Sequence, residues 1–583
     1  MAFCLGLFGG QGPNPAAALV SSGKILAFAE EERFTRIKGA PSSLPISAIY
    51  HCITSTGIGL EDIDLFAFGW DCPRYVREMP DFFSALEQSH SYNDNKFNKI
   101  HEQILRLGFN PDRIETELRF AFAKRGSVIK DLKISYYRHH LCHAASAYFC
   151  SGFEQANVLT LDGSGEEYSC VLWAAEGQDI KEVKSFKLPN TLGGYYATFT
   201  EFLGFKPDEE EGKLMGLAPY GSYSDEIQKK LDLFLQFSMR DGTYSLNPKL
   251  RFFGDRSYGK RFTDEFVSIF GEPRTFNSPL SEYHKNLAFN VQWRLEQVAI
   301  SLVRDLHRTT GFKNLCLSGG VAMNCKMNGQ IAAMQEVERI FVQPASGDSG
   351  VALGAALLAS RDSGTTRFSA MNHAYFGSAY SDSNYMAALT EAKIHFFSST
   401  KVFEDVATLL MRGYIVAWFQ GAAEVGARAL GNRSILASPI GVGVRDKLNR
   451  EVKHRESWRP FCPSVTEESY HRYFPECKYS DYMIMAFPLT ESLREEVPAV
   501  VHVDGSARPQ RVTKEANSRF HALLVEFGRL SGHEMLVNTS FNVMGEPIVN
   551  SPHDAIRCFG GTGIDVLCLG DFIALKPNVV LEG

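Results

Sequence analysis

A pattern of strand, tight turn and strand occurs twice in the first 190 residues, and this repetition limits the fold more than any other feature of the chain. The first copy predicts apolar strands at 3–8, 17–20 and 25–29. The second copy predicts strands at 158–162, 168–174 and 182–186, with a glycine turn at 163–165. Helical sequence follows each copy. The repetition therefore predicts a duplicated α/β domain.

Duplicated domains of this kind are typical of the actin and sugar-kinase fold, whose two lobes close over a nucleotide. A third glycine turn supports nucleotide binding, because the predicted strand 314–318 leads into Gly319 and Gly320 and then into a helix. A chain of 583 residues predicts two or three domains. The polar run 361–367 indicates a linker at 366–380, between domains at 1–365 and 381–583.

The composition excludes several classes of protein. A net charge of −7 argues against a nucleic-acid binder, and no apolar run is long enough to span a bilayer. Residues 1–10 are apolar but lack a basic start and a cleavage site, so they predict a buried strand rather than a signal peptide. The twelve cysteines include no Cys-x-x-Cys pair and are expected to be reduced core residues. We therefore expect a cytoplasmic protein without a membrane partner.

A pair of histidines indicates a metal site. His139 and His143 are four residues apart, so on a helix both imidazoles project from one face and can share an ion. Asp162, at the end of a predicted strand, would be a third ligand. His140 also reaches this face through its i, i+3 spacing to His143, so spacing does not choose between His139 and His140. Asp348 either completes the site or is an ordinary helix N-cap.

Phosphate groups have two predicted binding places. The turn after Asp162 exposes backbone N–H groups where a nucleotide phosphate could bind. Beyond the linker, single cationic residues stand among glycines and prolines: Arg428, Arg433, Lys453, Arg459, Arg508 and Arg511. Such residues are usually solvated surface. Arg428 and Arg459, which have rigid glycine and proline neighbours, are more typical of a cage for phosphate anions.

Several sequence strings, in this order, resemble the carbamoyltransferases of the NodU/CmcH type across nearly the whole chain. They are 30–36 (EEERFTR), 139–147 (HHLCHAASA), 161–166 (LDGSGE), 211–221 (EGKLMGLAPYG), 317–324 (LSGGVAMN), 426–431 (GARALG), 458–461 (WRPF) and 538–542 (NTSFN). The resemblance implies an N-terminal domain similar to the TsaD transferase of tRNA modification and a C-terminal domain similar to YrdC.

The resemblance also implies a reaction. In such proteins the YrdC-like domain makes carbamoyl adenylate from carbamoyl phosphate and ATP, which binds with Mg²⁺. The TsaD-like domain then transfers the carbamoyl group to a hydroxyl of a small-molecule natural product or sugar. This domain binds a divalent metal, for which the resemblance favours iron (Fe²⁺). No nucleic acid takes part, and a homo-oligomer is left open.

Site residues follow by matching the family's motifs. The implied metal ligands are His139, His143, Asp162 and Asp348. The implied anion cage comprises Arg428, Lys453, Arg459, Arg508 and Asn538, and His139, His143, Asp162 and Arg459 are the implied catalytic residues. Further nucleotide and cofactor contacts are implied for Gly163, Ser164, Gly165, Lys213, Gly216, Gly319, Gly320 and Asn324.

One departure from the family concerns the acceptor. Many members carry His-Asp after the first strand, where this chain has Pro13-Asn14, and an asparagine cannot serve as a base. The charged run 30–38 either contacts a polar acceptor or is a solvated strand end. The alternatives are a sugar kinase, a HypF-type maturation carbamoyltransferase, whose Cys-x-x-Cys zinc segments are missing here, and a nucleotide- and metal-binding sensor without turnover.

Overall fold

The computed structural model describes residues 2–10, 12–90, 108–127, 129, 132–252, 260–441, 443–456 and 458–580. The chain forms two compact units. The first comprises Met1–Leu26 and Pro41–Ala370, and the second comprises Ala27–Ala40 and Met371–Gly583. The second unit is therefore built from two distant stretches of sequence, which the sequence patterns did not indicate.

Two five-stranded sheets with the same strand order form the framework of the first unit. The first sheet contains β1 (Phe3–Phe8), β2 (Ala16–Ser21), β3 (Lys24–Glu30), β4 (Leu65–Phe68) and β5 (Ile134–Tyr136), in the order β3-β2-β1-β4-β5. The second contains β6 (Gln155–Gly165), β7 (Tyr168–Glu176), β8 (Asp179–Lys187), β11 (Asn314–Ser318) and β12 (Arg339–Val342), in the order β12-β11-β6-β7-β8. A separate hairpin consists of β9 (Leu235–Phe237) and β10 (Tyr244–Leu246).

The two sheets also share their strand directions. In each, the first strand pairs antiparallel with the second and parallel with the fourth, and the fourth and fifth strands are parallel. This common topology confirms the predicted duplicated α/β fold. One boundary was wrong: β6 continues to Gly165, and the turn falls at Glu166 and Glu167 rather than at 163–165. The ladder shifts register between Leu161 and Gly165, which lets the strand extend past an irregular stretch.

Helices α1 to α12 belong to residues 1–370. They are α1 (Glu32–Thr35), α2 (Ile46–Thr56), α3 (Cys72–His90), α4 (Pro111–Lys124), α5 (His139–Ser151), α6 (Leu192–Phe202), α7 (Glu211–Leu217), α8 (Asp225–Asp232), α9 (Asp264–Phe270), α10 (Glu282–Thr310), α11 (Cys325–Ala332) and α12 (Ser349–Asp362). Single 3₁₀ turns occur at Leu60–Asp62, Ala218–Tyr220, Pro248–Leu250 and Gly320–Met323.

Close packing of α5 on α12 positions the start of both helices. A Cβ atom on Gly354 of α12 would lie 1.9 Å from the carbonyl oxygen of Cys142 on α5, so only glycine permits this approach. α5 begins at His139, and Asp348 is the residue that precedes α12. The crossing of two apolar, small-residue helices therefore explains why two residues 209 positions apart in sequence can share one site.

The second unit is built on an eight-stranded mixed sheet. Its strands are β13 (Phe397–Ser398), β14 (Val416–Phe419), β15 (Arg433–Ala437), β16 (Cys462–Thr466), β19 (Gln510–Val512), β20 (Met535–Ser540), β21 (Val566–Leu569) and β22 (Phe572–Leu575), in the order β13-β22-β21-β14-β15-β20-β16-β19. A two-stranded sheet pairs β17 (Phe487–Pro488) with β18 (Ser506–Ala507).

In the second unit, α1 is joined by helices from residues 371–583. They are α13 (Asp382–Glu391), α14 (Val402–Met411), α15 (Val444–Lys447), α16 (Tyr470–Tyr473), α17 (Ser518–Ser531) and α18 (Pro552–Gly560), with 3₁₀ turns at Glu491–Leu493 and Pro498–Val500 and a π-helical turn at Leu448–Lys453. Apolar side chains of α14 and α17 pack on Trp418 and Leu536 of the sheet to form the core. Outside this core, polar residues lie on the loops that follow the strands.

Candidate metal centre and anion site

Four side chains of the first unit converge: His139, His143, Asp162 and Asp348 offer ligand atoms that all lie within 4.8 Å of one another. The Nε2 atoms of the two histidines are 3.1 Å apart. Oδ2 of Asp162 lies 3.1 Å from Nε2 of His139 and 3.3 Å from Nε2 of His143. Oδ1 of Asp348 lies 3.7 and 4.0 Å from the same nitrogens. Imidazole nitrogens combined with carboxylate oxygens suit a divalent transition metal.

The opposite ring nitrogens of both histidines have partners in the protein. Nδ1 of His139 lies 3.3 Å from the carbonyl oxygen of Gly69, and Nδ1 of His143 lies 3.3 Å from Oγ of Ser318. Metal-bound histidines commonly have such a partner, because it fixes the tautomer that directs the Nε2 lone pair at the ion. The residues present therefore fit a metal ion.

The charged groups of this cluster shift one another's pKa values. Burial alone would lower the pKa of His139, but its hydrogen bond to Asp162 and the charge of Asp348 raise it to about 9. Burial alone would raise the pKa of Asp162, but hydrogen bonds from His139 and His143 hold it well below its ordinary value. Burial and the charge of Asp162 raise the pKa of Asp348 to about 7. When both imidazoles are neutral, the two carboxylates leave a net negative charge that favours a cation.

The structure distinguishes His139 from His140, and it shows where the Asp348 side chain points. Nδ1 of His140 lies 3.0 Å from Oγ1 of Thr160, away from the cluster, and burial lowers the pKa of His140 to about 3. Asp348 is the N-cap residue of α12, but within the described part of the chain its side chain accepts no capping hydrogen bond. Its carboxylate faces the imidazoles instead.

Residues 163–166 support the metal cluster from one side. The Glu166 carboxylate accepts hydrogen bonds from the backbone N–H groups of Asp71, at 3.0 Å, and His139, at 3.1 Å. A Cβ atom on Gly165 would lie 2.6 Å from Cδ2 of His139, so this position requires glycine. Gly163 and Ser164 are exposed and can present N–H groups to a phosphate.

The predicted glycine turn at Gly319 and Gly320 also reaches the proposed metal ligands. Gly319 has a φ of 94°, in the region that favours glycine, and the next N–H, of Gly320, donates to Oδ1 of Asp162 at 3.1 Å. Asn324 caps α11 and exchanges two amide hydrogen bonds with Gln292, at 2.9 and 3.0 Å. The Asn324 side chain is thus engaged inside the protein.

The remaining residues assigned to nucleotide binding in the first unit lie on α7. Lys213 pairs with Glu210, with 2.7 Å between Nζ and Oε1, and its ammonium lies 5.6 Å from the ring centroid of Phe205. Gly216 is partly buried one turn later. Both residues lie on α7, outside the elements that carry the four converging residues.

Cationic side chains crowd one place in the second unit: Lys453, Arg455, Arg459 and Arg508. Burial, followed by the charges of Arg459 and Arg508, lowers the pKa of Arg455. Burial and the charges of Arg455 and Arg459 lower the pKa of Lys453. Arg455 also lines an open cavity of about 360 Å³. Like charges held this close are stabilised by a bound anion, so the cluster is a candidate anion site.

Two predicted members of the anion cage are engaged inside the protein. Nζ of Lys453 donates to oxygens of Ser540 and Asn542 at distances of 2.5–3.1 Å. Nδ2 of Asn538 donates to Oγ of Ser464 at 2.9 Å and to Oε1 of Gln510 at 3.2 Å. In this structure both residues brace the anion site rather than face open space.

The predicted arginines differ in their surroundings. Arg428 and Arg459 are partly buried, and Arg508 donates to Sγ of Cys462 at 2.9 and 3.1 Å. Arg433 is fully buried and donates to the carbonyl oxygens of Gln420, Gly421, Ser378 and Asn432, while Arg511 pairs with Asp481 and Glu467. Arg433 and Arg511 therefore have structural partners.

Sequence reasoning missed Arg455 and Glu166. Arg455 stands only four residues before Arg459, and its Nε donates to Oδ1 of Asn449 at 2.8 Å. The two arginines of the string RESWR (455–459) could have indicated that Arg455 belongs with Arg459. Glu166 directly follows the string Gly163-Ser164-Gly165, where an acidic residue close to a proposed metal ligand could have been noticed. The run 30–38 is not a solvated strand end, because Arg33 is buried.

Comparisons with known proteins identify the family of the chain. Residues 13–357 match the family described as Carbamoyltransferase N-terminus, and residues 407–576 match Carbamoyltransferase C-terminus. The chain is 36% identical to an uncharacterized protein of Synechocystis sp., with 97% of this chain and 95% of that protein covered. It is 34% identical to the nodulation protein NolNO of Sinorhizobium fredii, over 99% and 83%. It is 36% identical to 3'-hydroxymethylcephem-O-carbamoyltransferase of Amycolatopsis lactamdurans, over 44% and 48%.

These matches define a transferase. The chain belongs to the carbamoyltransferase family. Among the described residues, no helix combines the length and apolar character needed to cross a membrane.

Proposed function

We propose that this protein is an ATP-dependent O-carbamoyltransferase. One unit would join carbamoyl phosphate, ATP and water into carbamoyl adenylate, with release of pyrophosphate and phosphate. The other would transfer the carbamoyl group to an acceptor hydroxyl, with release of AMP. We assign adenylate formation to the YrdC-like region 381–583 and transfer to the TsaD-like region 1–365. The pairing of a metal donor set in the first unit with a cation cluster in the second is the observation that carries this proposal.

Adenylate formation needs groups that hold several phosphates. Arg455, Arg459 and Arg508 supply guanidinium donors that match phosphate oxygens, and Lys453 ties the neighbouring loop in place. Their mutual repulsion makes the empty cluster unfavourable, so substrate anions are bound more tightly. The triphosphate would bring Mg²⁺ as its own counter-ion.

Transfer needs a polarised carbamoyl group and a positioned hydroxyl. His139, His143, Asp162 and Asp348 would hold the divalent metal, for which Fe²⁺ fits the donor set. A bound metal supplies Lewis-acid stabilisation of the charge that develops on the reacting oxygen or leaving phosphate. Gly163 and Ser164 would contact the adenylate phosphate through backbone N–H groups. Asn14 can orient an acceptor hydroxyl but cannot remove its proton.

A hydroxylated small molecule is the acceptor class we propose, because one relative is a 3'-hydroxymethylcephem-O-carbamoyltransferase. The wild-type protein should be incubated with ATP, carbamoyl phosphate and panels of sugars, aminoglycosides and nucleosides. Mass spectrometry should find one acceptor that gains a single carbamoyl group.

Pyrophosphate release tests the first half-reaction. Arg428→Ala combined with Arg459→Ala should abolish pyrophosphate release, because a polyanion without these donors loses several charge-assisted hydrogen bonds. Arg529→Ala is the matched control, since Arg529 belongs to the same unit, is 63% exposed and pairs only with a nearby glutamate in the described contacts. Wild-type release by the double variant would disprove the assignment. A wild-type protein that binds nucleotide but releases no pyrophosphate would favour a sensor without turnover.

A further inference from the structure

The segment 30–36 belongs to the second unit although it lies near the start of the chain. It contains the end of β3 and the short helix α1 (Glu32–Thr35). Arg33 and Arg36 are three residues apart, and each guanidinium donates to backbone carbonyl groups of a different loop in residues 371–583. The two loops are the ones that carry or brace predicted anion-binding residues.

Arg33 holds the first of these loops. Its side chain is buried, and Nη2 donates to the carbonyl oxygen of Gly426 at 2.7 Å and to Oε2 of Glu30 at 2.8 Å. Gly426 begins the turn 426–431, in which Arg428 stands two residues later. The base of this turn is fixed by buried Glu424, whose carboxylate accepts the N–H groups of Leu430, Asn432 and Arg433.

Arg36 holds the second loop. Its Nη1 donates to the carbonyl oxygen of Ile548 at 2.7 Å and Nη2 to that of Pro547 at 2.8 Å. The loop is closed by a hydrogen bond from the N–H of Val549 to the carbonyl oxygen of Phe541, at 2.9 Å. At the start of this loop, oxygen atoms of Ser540 and Asn542 accept hydrogen bonds from Nζ of Lys453.

A buried arginine is costly unless its charge is paired and its donors are used. Glu30 and Glu32 supply the countercharge for Arg33, so the segment carries its own compensation. Nη2 of Arg33 and both Nη groups of Arg36 also donate to carbonyl oxygens, and charge-assisted hydrogen bonds of this type fix geometry as well as adding stability. An ordinary strand end would place these charges in solvent.

We propose that the segment 30–36 is a clamp for the anion site of the second unit, with Arg33 positioning the turn 426–431 and Arg36 positioning the loop 541–549. This inference rests on the proposed function for its effect on catalysis. Arg33 and Arg36 are positioning residues, because their described contacts are with Glu30, Glu32, Asp554 and backbone carbonyls rather than with substrate groups.

Hydrogen exchange on the full-length protein tests the clamp without relying on activity. Arg33→Lys keeps a charge beside Glu30 but loses the fork that also reaches Gly426, so amide exchange across 424–433 should rise about tenfold. Arg36→Lys should raise exchange at Val549 by a similar factor and leave 424–433 unchanged. Arg294→Lys is the matched control, since Arg294 is a buried arginine of the first unit that pairs with Asp232 and donates to the carbonyl oxygen of Leu235.

Kinetics then test the positioning role. In Arg33→Lys, the KM for carbamoyl phosphate in pyrophosphate release should rise about tenfold with a smaller change in kcat, because the loop is displaced but the chemical groups remain. Arg294→Lys should leave KM unchanged. Exchange rates in both loops that match the wild-type protein, or a KM equal to that of the control, would overturn the clamp. A wild-type protein without pyrophosphate release would instead overturn the proposed function, while hydrogen exchange would still decide whether the clamp exists.

Discussion

At the scale of single residues, neighbouring histidines of one helix have different surroundings. His139 and His143 direct Nε2 at Asp162, while His140, between them in sequence, contacts Thr160. The rotation of roughly 100° per helical residue explains this difference, since it turns His140 away from His139, whereas His143, four residues on, lies on nearly the same face as His139. A substitution at His140 therefore removes a similar buried imidazole without removing a proposed ligand.

Metal content should separate the two histidines. His139→Ala should lose stoichiometric metal, because removal of one of four donors weakens the site by more than the 10–100-fold typical of changes to outer partners. His140→Ala should retain metal, and it serves as the control for loss of a buried ring. Elemental analysis of the purified variants is the measurement, and loss of metal from His140→Ala alone would contradict the ligand set.

At the scale of elements, α7 begins with a partly buried acid. The N–H of Asp208 donates to Oε1 of Glu211 at 2.6 Å, and burial raises the pKa of Glu211 to about 7. A folded-state pKa above the unfolded value means that the folded protein holds the proton more tightly. Stability from this group is therefore fully present below about pH 4.5 and is lost as the pH rises towards 7.

Glu211→Gln should remove this pH dependence. At pH 8 the variant should be more stable than the wild-type protein by on the order of 2 kcal/mol, because a neutral amide replaces a buried carboxylate and can still accept the N–H of Asp208. At pH 5 the two should be nearly equal. Urea unfolding followed by circular dichroism at both pH values checks this, with Glu226→Gln, an exposed first-turn residue of α8, as the control. Equal gains at both pH values would refute the role of ionisation.

At the scale of the whole molecule, the proposed metal ligands and the cation cluster belong to different units. This separation predicts that the two half-reactions can be lost independently. The proposed metal ligands come from α5, β6 and the loop before α12, whereas Arg455, Arg459 and Arg508 lie on loops of the second unit.

His143→Ala should abolish carbamoyl transfer, because the proposed metal site, whose ion would polarise the reacting group, loses one of its four donors. Pyrophosphate release from ATP and carbamoyl phosphate should continue at close to the wild-type rate. Both products should be followed in the same reaction, with Arg459→Ala as the reciprocal variant that loses pyrophosphate release. Loss of both activities in a folded His143→Ala protein would show that one shared site performs both steps.

Local patterns predicted much of the first unit and less of the second. Alternating apolar runs and glycine turns located three neighbouring strands of each five-stranded sheet, because hairpin signals act over a few residues, but they did not locate β4 and β5. The four converging ligands were also among the predicted residues. Patterns could not show that Lys453 and Asn538 are occupied by neighbouring oxygens, or that Arg455 joins Arg459, because these facts depend on loops brought together by tertiary packing.

Because the segment 30–36 belongs to the second unit, it affects how the protein folds during synthesis on the ribosome. Arg33 is synthesised 393 residues before Gly426, its carbonyl partner. At general translation rates of roughly 5–20 residues per second, Gly426 is synthesised about 20–80 s after Arg33. The second unit therefore reaches its final form only late in synthesis or after it, and a nascent chain that stops anywhere before residue 426 leaves these charges without the surface that buries them.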